Sequence, residues 1–139
     1  MRILGLDVGE RRIGVAMSDP EGIIASPTTI IIRDEDNTAI DAIVQLVNQH
    51  DIKLIIVGMP YSLNGSEGQQ ANRVKEFVDK LSEKTDADIE LRDERLSTVG
   101  AERLLRQTGN KKAKKSPRDD AAAAYILQGY LDSRKVGSQ

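Results

Sequence analysis

The apolar residues of this chain change period part of the way along it, and that change bounds the fold more tightly than any other feature. Arg2–Val8 (RILGLDV) and Ile13–Met17 (IGVAM) are short runs of branched apolar residues separated only by the turn Gly9 to Arg12, the pattern of a two-stranded hairpin. The turn-dense segment Ser18-Asp19-Pro20-Glu21-Gly22 then leads into a third strand at about Ile23–Ile32. From there the spacing becomes helical: Ile40, Ile43, Val44 and Val47 fall at i, i+3, i+4, i+7. Lys53–Gly58 (KLIIVG) is a continuous apolar run, as expected of a strand covered on both faces. Met59–Gly68, with Pro60, Asn64, Gly65 and Gly68, is expected as a loop.

A second helix is marked by Ala71, Val74, Phe77, Val78 and Leu81, and a short fifth strand by Asp88–Arg92. Helices are expected again over Thr98–Gln107 and Pro117–Ser133. Between them Thr108–Ser116 (TGNKKAKKS) is basic and without periodicity and is expected as a mobile loop (108–116), and 134–139 as a frayed tail. The order βββαβαβαα makes a single α/β domain over 1–139. Three antiparallel, hairpin-linked strands would be extended in parallel by βα units, giving a five-stranded mixed sheet with helices on both faces.

Composition narrows the chemistry. There is no Cys, so thiol nucleophiles and thiolate zinc sites are excluded, and a single His, His50, removes His-rich zinc sites and the Ser-His-Asp triad almost entirely. His50 is expected to close a helix as a partner of its dipole. Aromatic residues make up 3% of the chain, too few for a stacking platform; Tyr125 and Tyr130 are expected in the core. A net charge of -2 argues against a globally basic, DNA-coating protein. No apolar run approaches the ~20 residues that span a bilayer, and the charged start MRILGLDVGERR does not resemble a signal peptide. A soluble, cytoplasmic protein is expected, with no membrane partner.

What remains is carboxylate chemistry. Asp7 sits inside an apolar strand, where an ionised group is expensive unless it is paired or bound to metal; Arg11 or Arg12 could neutralise it. Gly5 and Gly9 flank it and permit close approach. Glu94, in Asp93-Glu94-Arg95, follows the fifth strand, and ligands gather outside the carboxyl ends of parallel strands. Asp119 and Asp120 open the last helix, where a Ser116-x-x-Asp119 capping pattern and the helix dipole also suit acidic residues. Asp119 shares a face with Ala123, Ile126, Leu127 and Tyr130, and Asp120 flanks that face; spacing does not choose between them. Converging carboxylates need a cation, and hard divalent ions fit them. Two such ions ~3.5–4 Å apart would activate water and stabilise the leaving oxygen in phosphodiester hydrolysis. Arg11, Arg12, Lys111, Lys112, Lys114, Lys115 and Arg118 are suited to phosphate contacts without sequence readout.

LGLDVGERRIGVAMSD, IIVGMPYSLNGSEG, LRDERLST and KKSPRDDAAAAYILQGYL, in that order, resemble the successive motifs of the YqgF-type nucleases. That family has a ribonuclease-H-like fold and is described as Holliday-junction resolvases or as nucleases of the small-subunit ribosomal RNA precursor. The resemblance spans roughly Arg2 to Leu131. It implies an acidic triad: Asp7, Glu94 and an Asp opening the last helix. The family's Asp stands seven residues before the Ile of ILQGYL, here Ile126, which selects Asp119. The second carboxylate comes from the fifth strand, because IIVGMP at the end of the fourth has none, unlike better-known resolvases of this fold.

The resemblance implies a nuclease dependent on Mg²⁺ or Mn²⁺, with two ions, processing the ends of precursor 16S ribosomal RNA during ribosome biogenesis. Expected substrate contacts are Gly9, Arg11, Arg12, Asn64, Arg95, Thr98, Lys111, Lys112, Lys114, Lys115 and Arg118, with ribosomal particles as partners and a monomer or homodimer as its state. The alternatives are a resolvase of four-way DNA junctions, working as a symmetric dimer, and a non-catalytic RNA-binding assembly factor. LGLDVGERRIGVA also resembles the phosphate hairpin of actin- and Hsp70-like ATPases, but those close two domains around the nucleotide and this chain supplies one.

Overall fold

The computed structural model of the chain describes residues 1–60, 68–93 and 119–137. The five expected strands form as β1 (Ile3–Val8), β2 (Arg12–Ser18), β3 (Ala25–Ile32), β4 (Leu54–Met59) and β5 (Asp88–Asp93). The described helices are α1 (Asp36–Gln49), α2 (Gln69–Ser82) and α3 (Asp119–Gly137). The strands make one sheet in the order β3-β2-β1-β4-β5. β1–β2 and β2–β3 are antiparallel, whereas β1–β4 and β4–β5 are parallel, so the mixed sheet follows the expected topology. The helix expected over Thr98–Gln107 and the basic loop 108–116 lie outside the described residues.

Central position explains sequence. β1 is buried at every residue, and β4 at all but its first, which is why both read as continuous apolar runs. β3, at one edge, is mostly exposed and carries Pro27 opposite Ala16, beside a register shift between Val15 and Ala16. An edge strand is where a residue without an N–H is tolerated. β3 starts at Ala25 rather than Ile23 because the Asp19 carboxylate accepts the N–H groups of Ile23 (2.7 Å) and Ile24 (2.9 Å), holding both in the turn. Those same bonds, that of Ile24 foremost, hold the Asp19 carboxyl below its usual range.

Two cores lie on opposite faces of the sheet. On one, Leu4, Leu6, Val8, Ile55 and Val57 meet Ile40, Ile43 and Val47 of α1 and Ala71, Val74, Phe77 and Leu81 of α2. On the other, Ile3, Ala16 and Ile56 meet Ala123, Ile126, Leu127 and Leu131 of α3. Helices on both faces were expected from the sequence. One boundary differs: α3 runs past Ser133 to Gly137, through part of the expected frayed tail. Its last turns are tied by Gln128 Nε2 donating to Asp132 Oδ1 (3.0 Å) and by the Arg134 guanidinium, 5.8 Å from the Tyr130 ring centre. Among the described residues no helix is long and apolar enough to cross a membrane.

α3 lies close on its face because the sheet there is floored with glycine. A Cβ on Gly5 would stand 2.8 Å from Leu127 Cβ and 3.2 Å from the Ala123 carbonyl; one on Gly58 would stand 2.6 Å from Ile126 Cδ1. The first clash involves backbone and a branch point, whereas the second meets the tip of a flexible side chain. Gly5→Ala is therefore expected to destabilise the protein by about 1–3 kcal/mol through overpacking, and Gly58→Ala by less. Urea unfolding midpoints check both, and the order of the two effects is the discriminating result.

Candidate active site

Alternation along β1 decides which way Asp7 faces. Leu4, Leu6 and Val8 belong to the core under α1 and α2, and Ile3 to the core under α3, so Asp7 shares the α3 face with Ile3 and Gly5. It is 5% exposed. Its cross-strand partner in β2 is Gly14, and the β4 position one step beyond the Leu6–Val57 pair is Gly58. The carboxylate thus has a glycine on either side of it in the sheet, and neither neighbour offers a Cβ to crowd it.

The helix on this face runs opposite to β1. Arg134 lies near Gly22 and Met1, at the amino end of β1, whereas Leu127 and Ala123 lie over Gly5. Continuing along the helix, its first turn comes to the end of β1 that carries Asp7. Asp120 in that turn is 7% exposed, and its Oδ1 accepts the Ala121 N–H at 2.9 Å. A carboxylate here also meets the positive end of the helix dipole. Asp119 is the first residue of α3; its side chain lies outside those described.

The third expected carboxylate is one residue beyond the description. β5 ends on Asp93, in register with Met59 of β4, and Glu94 follows it. Asn64, Arg95, Thr98, Lys111, Lys112, Lys114, Lys115 and Arg118 also lie outside the described residues. Asp7 stands near the carboxyl end of β1, the end of a parallel strand at which open α/β sheets take their ligands. Among the described residues no group of three or more His, Cys, Asp or Glu side chains forms a metal site. Two buried carboxylates on facing elements nonetheless fit a hard divalent cation such as Mg²⁺ or Mn²⁺, whose preferred ligands are oxygens.

The turn after β1 completes the described part of the site. Gly9 N–H donates to the Arg12 carbonyl at 2.8 Å, and a Cβ on Gly9 would stand 2.7 Å from that oxygen, so the turn closes only on glycine. Arg11 and Arg12 are exposed.

His50 closes α1 as expected, but through its backbone, whose N–H donates to the Leu46 carbonyl at 3.0 Å. Tyr130 is partly buried; burial, then the nearby Glu90 charge, raises its hydroxyl pKa. Tyr125 departs from the expectation of a core residue and is 54% exposed. It lies about 100° around the helix from buried Ile126 and so falls on the outer side. Sequence reasoning also missed Arg33, whose side chain reaches back to the turn at Gly9. The only signal was an Arg at the end of an apolar strand, and nothing local pairs it with a residue so far back.

A family model described as RuvX: Holliday junction resolvase matches residues 1–133. A protein of Desulforamulus reducens named "Putative pre-16S rRNA nuclease" is 46% identical over 134 residues, covering 96% of this chain and 98% of the relative. A protein of the same name from Chloroflexus aggregans is 47% identical over 134 residues, 96% of this chain and 94% of the relative. Among solved structures, RuvC of T. thermophilus in complex with Holliday junction substrate matches with a TM-score of 0.59 at 14% identity, covering 97% of this chain and 96% of that one. The Fowlpox virus resolvase with its Holliday junction DNA matches at 0.53 and 13% identity, covering 96% and 98%. At such identities the structural matches speak for the fold, which is RNase H-like.

Behind the turn, Asp36 at the start of α1 accepts from Arg33 Nε (2.9 Å) and Lys80 Nζ (3.2 Å). The Arg33 bond foremost holds its carboxyl below the usual 3.8, against a smaller opposing effect of burial. A folded pKa below the unfolded one adds stability that is fully present above the unfolded value and is lost as pH falls through the folded one. Asp36→Asn should therefore be less stable than wild type at neutral pH, and the gap should narrow as pH falls below the usual 3.8. Urea unfolding across that range checks it, and a gap that does not narrow with acid contradicts it.

Proposed function

This chain belongs to the RuvX Holliday junction resolvase family and is a nuclease, and we propose that its substrate is the precursor of 16S ribosomal RNA, whose ends it processes in the cytoplasm during ribosome assembly. The observation that carries the reading is Asp7: a carboxylate 5% exposed inside an apolar strand, flanked by glycines and set at the end of the sheet to which the start of α3 comes. Relatives of nearly the same length that bear the pre-16S rRNA name support the substrate.

In this reading Asp7, Glu94 and Asp119 hold divalent metal, two ions of Mg²⁺ or Mn²⁺, with Asp120 beside them. When bound, the metal would supply a water nucleophile at neutral pH and charge stabilisation at the leaving oxygen. The chain's own residues do the rest. Burial of Asp7 between glycines fixes its carboxylate and leaves room for a phosphate to come close. Gly9 lets the backbone of the turn approach that phosphate. Arg11 and Arg12 grip neighbouring phosphates, Lys111, Lys112, Lys114, Lys115 and Arg118 steer the strand, and Asn64, Arg95 and Thr98 contact it. Ribosomal particles would present this substrate to a monomer or a homodimer.

The test is cleavage of an end-labelled precursor-rRNA end, a four-way DNA junction and a plain duplex, with Mg²⁺, Mn²⁺ or EDTA. Metal-dependent cutting of the RNA is expected, falling at least ~10²-fold in Asp7→Asn, since even outer-shell changes at metal sites reach that size. Asp119→Asn should behave alike. Mg²⁺ should also raise the melting temperature of wild type but not of Asp7→Asn. Symmetric cutting of the junction in preference to RNA would make the protein a resolvase instead. RNA binding without any cleavage would make it an assembly factor.

A further inference from the structure

We propose that Arg33 is a positioning residue for cleavage, holding the turn after β1 so that its carbonyl oxygens face away from the approaching phosphate. The proposal rests on the nuclease reading above. Arg33 lies just beyond β3, and its side chain is 12% exposed. Its terminal nitrogen donates to the Gly9 carbonyl at 2.9 Å, and its backbone N–H donates to the Arg11 carbonyl at 2.9 Å. One residue thus takes two of the turn's carbonyl oxygens. A trans peptide sets its N–H opposite its C=O, so directing the Gly9 carbonyl at Arg33 aims the Glu10 N–H the other way. A phosphate is repelled by carbonyl oxygens and attracted by N–H groups and cations. The side of the turn away from Arg33 offers the Glu10 N–H, in a turn that also carries the exposed Arg11 and Arg12.

The guanidinium is itself held by Asp36 and Phe77, and Asp36 in turn by Lys80. Nε donates to Asp36 Oδ1 at 2.9 Å, the plane stands 4.9 Å over the fully buried Phe77 ring of α2, and Lys80 of α2 holds the other oxygen of Asp36 at 3.2 Å. Arg73 of α2 adds an exposed contact to Glu10 at 3.3 Å. Such a planar, forked donor can serve Gly9 and Asp36 at once, which a lysine ammonium on a flexible stem cannot do in the same geometry. Both helices of one face are therefore connected to a turn beside Asp7, which points to the other face.

The test compares wild type, Arg33→Ala and Arg33→Lys, well below each variant's melting temperature, with three readouts. Single-turnover cleavage of the precursor-rRNA end should fall ~10–100-fold in Arg33→Ala, the size of effect that a small misplacement of reacting groups produces. Retention of the same RNA in EDTA should stay at the wild-type level, because many cations share that task. Arg33→Lys should recover part of the rate. The third readout does not need activity: amide hydrogen exchange at Gly9 should speed up in Arg33→Ala while the amides of β1 keep their protection. Wild-type cleavage by folded Arg33→Ala overturns the proposal, and so does unchanged exchange at Gly9. A fall in rate that Arg33→Lys does not lessen, in step with lost RNA retention, overturns it as well. Failure of wild type to cut any nucleic acid would instead count against the nuclease reading, and the exchange result would still decide the role of Arg33 in holding the turn.

Discussion

A strand in the middle of a sheet, covered on both faces, has no neutral position for a carboxylate, and this is the constraint around which the molecule is arranged. β1 alternates Leu4, Leu6 and Val8 into one core and Ile3, Gly5 and Asp7 towards the other. The first face is bulky and closed by two amphipathic helices. The second is small-residued and closed by one helix that runs opposite to the strand. The charge sits on the second, at the point where the helix begins.

The close fit of that helix follows from what the sheet lacks. Without Cβ atoms at Gly5 and Gly58, Leu127, Ala123 and Ile126 settle directly on the strands, and dispersion contacts that fade over fractions of an ångström are kept. The same absence leaves Asp7 uncrowded, between Gly14 in β2 and the Gly58 end of β4. Packing and the site therefore draw on one feature. The glycines that let α3 approach also keep open the place where its first turn, with Asp120 buried in it, meets the end of β1.

The turn after β1 shows a different kind of support. Its closure is local, Gly9 to Arg12, but its attachment is not: Arg33 comes from the end of β3 and is braced by Asp36 of α1 and Phe77 of α2. The hairpin was legible because glycine and a run of charge between two apolar strands can do little else. Its brace was not legible, because Arg33 and Gly9 are 24 residues apart and nothing in IIIRDED names a distant carbonyl as its partner. Tyr125 misled for a related reason. Ala-rich surroundings look like core, yet helix rotation puts Tyr125 outside, 54% exposed. α3 continues past Ser133 to Gly137, and its contacts there, such as Arg134 over Tyr130, are not announced by the terminal composition.

The sequence by itself determined the order of elements, a strand covered on both faces, the turn chemistry and the short list of carboxylates. Those depend on period, on residue shape and on contacts within a few positions, all of which are written along the chain. Only the tertiary structure decided that Asp7 faces α3 rather than α1 and α2. It alone decided that the helix runs down to Gly5 at close range, that Asp120 is buried, and that Arg33 grips the turn. These depend on which faces meet and at what distance. A chain pattern records that a residue is apolar, small or charged, but the partner that gives it a role comes from a remote segment, as when Gln128 of α3 accepts the Ala25 N–H across 103 positions.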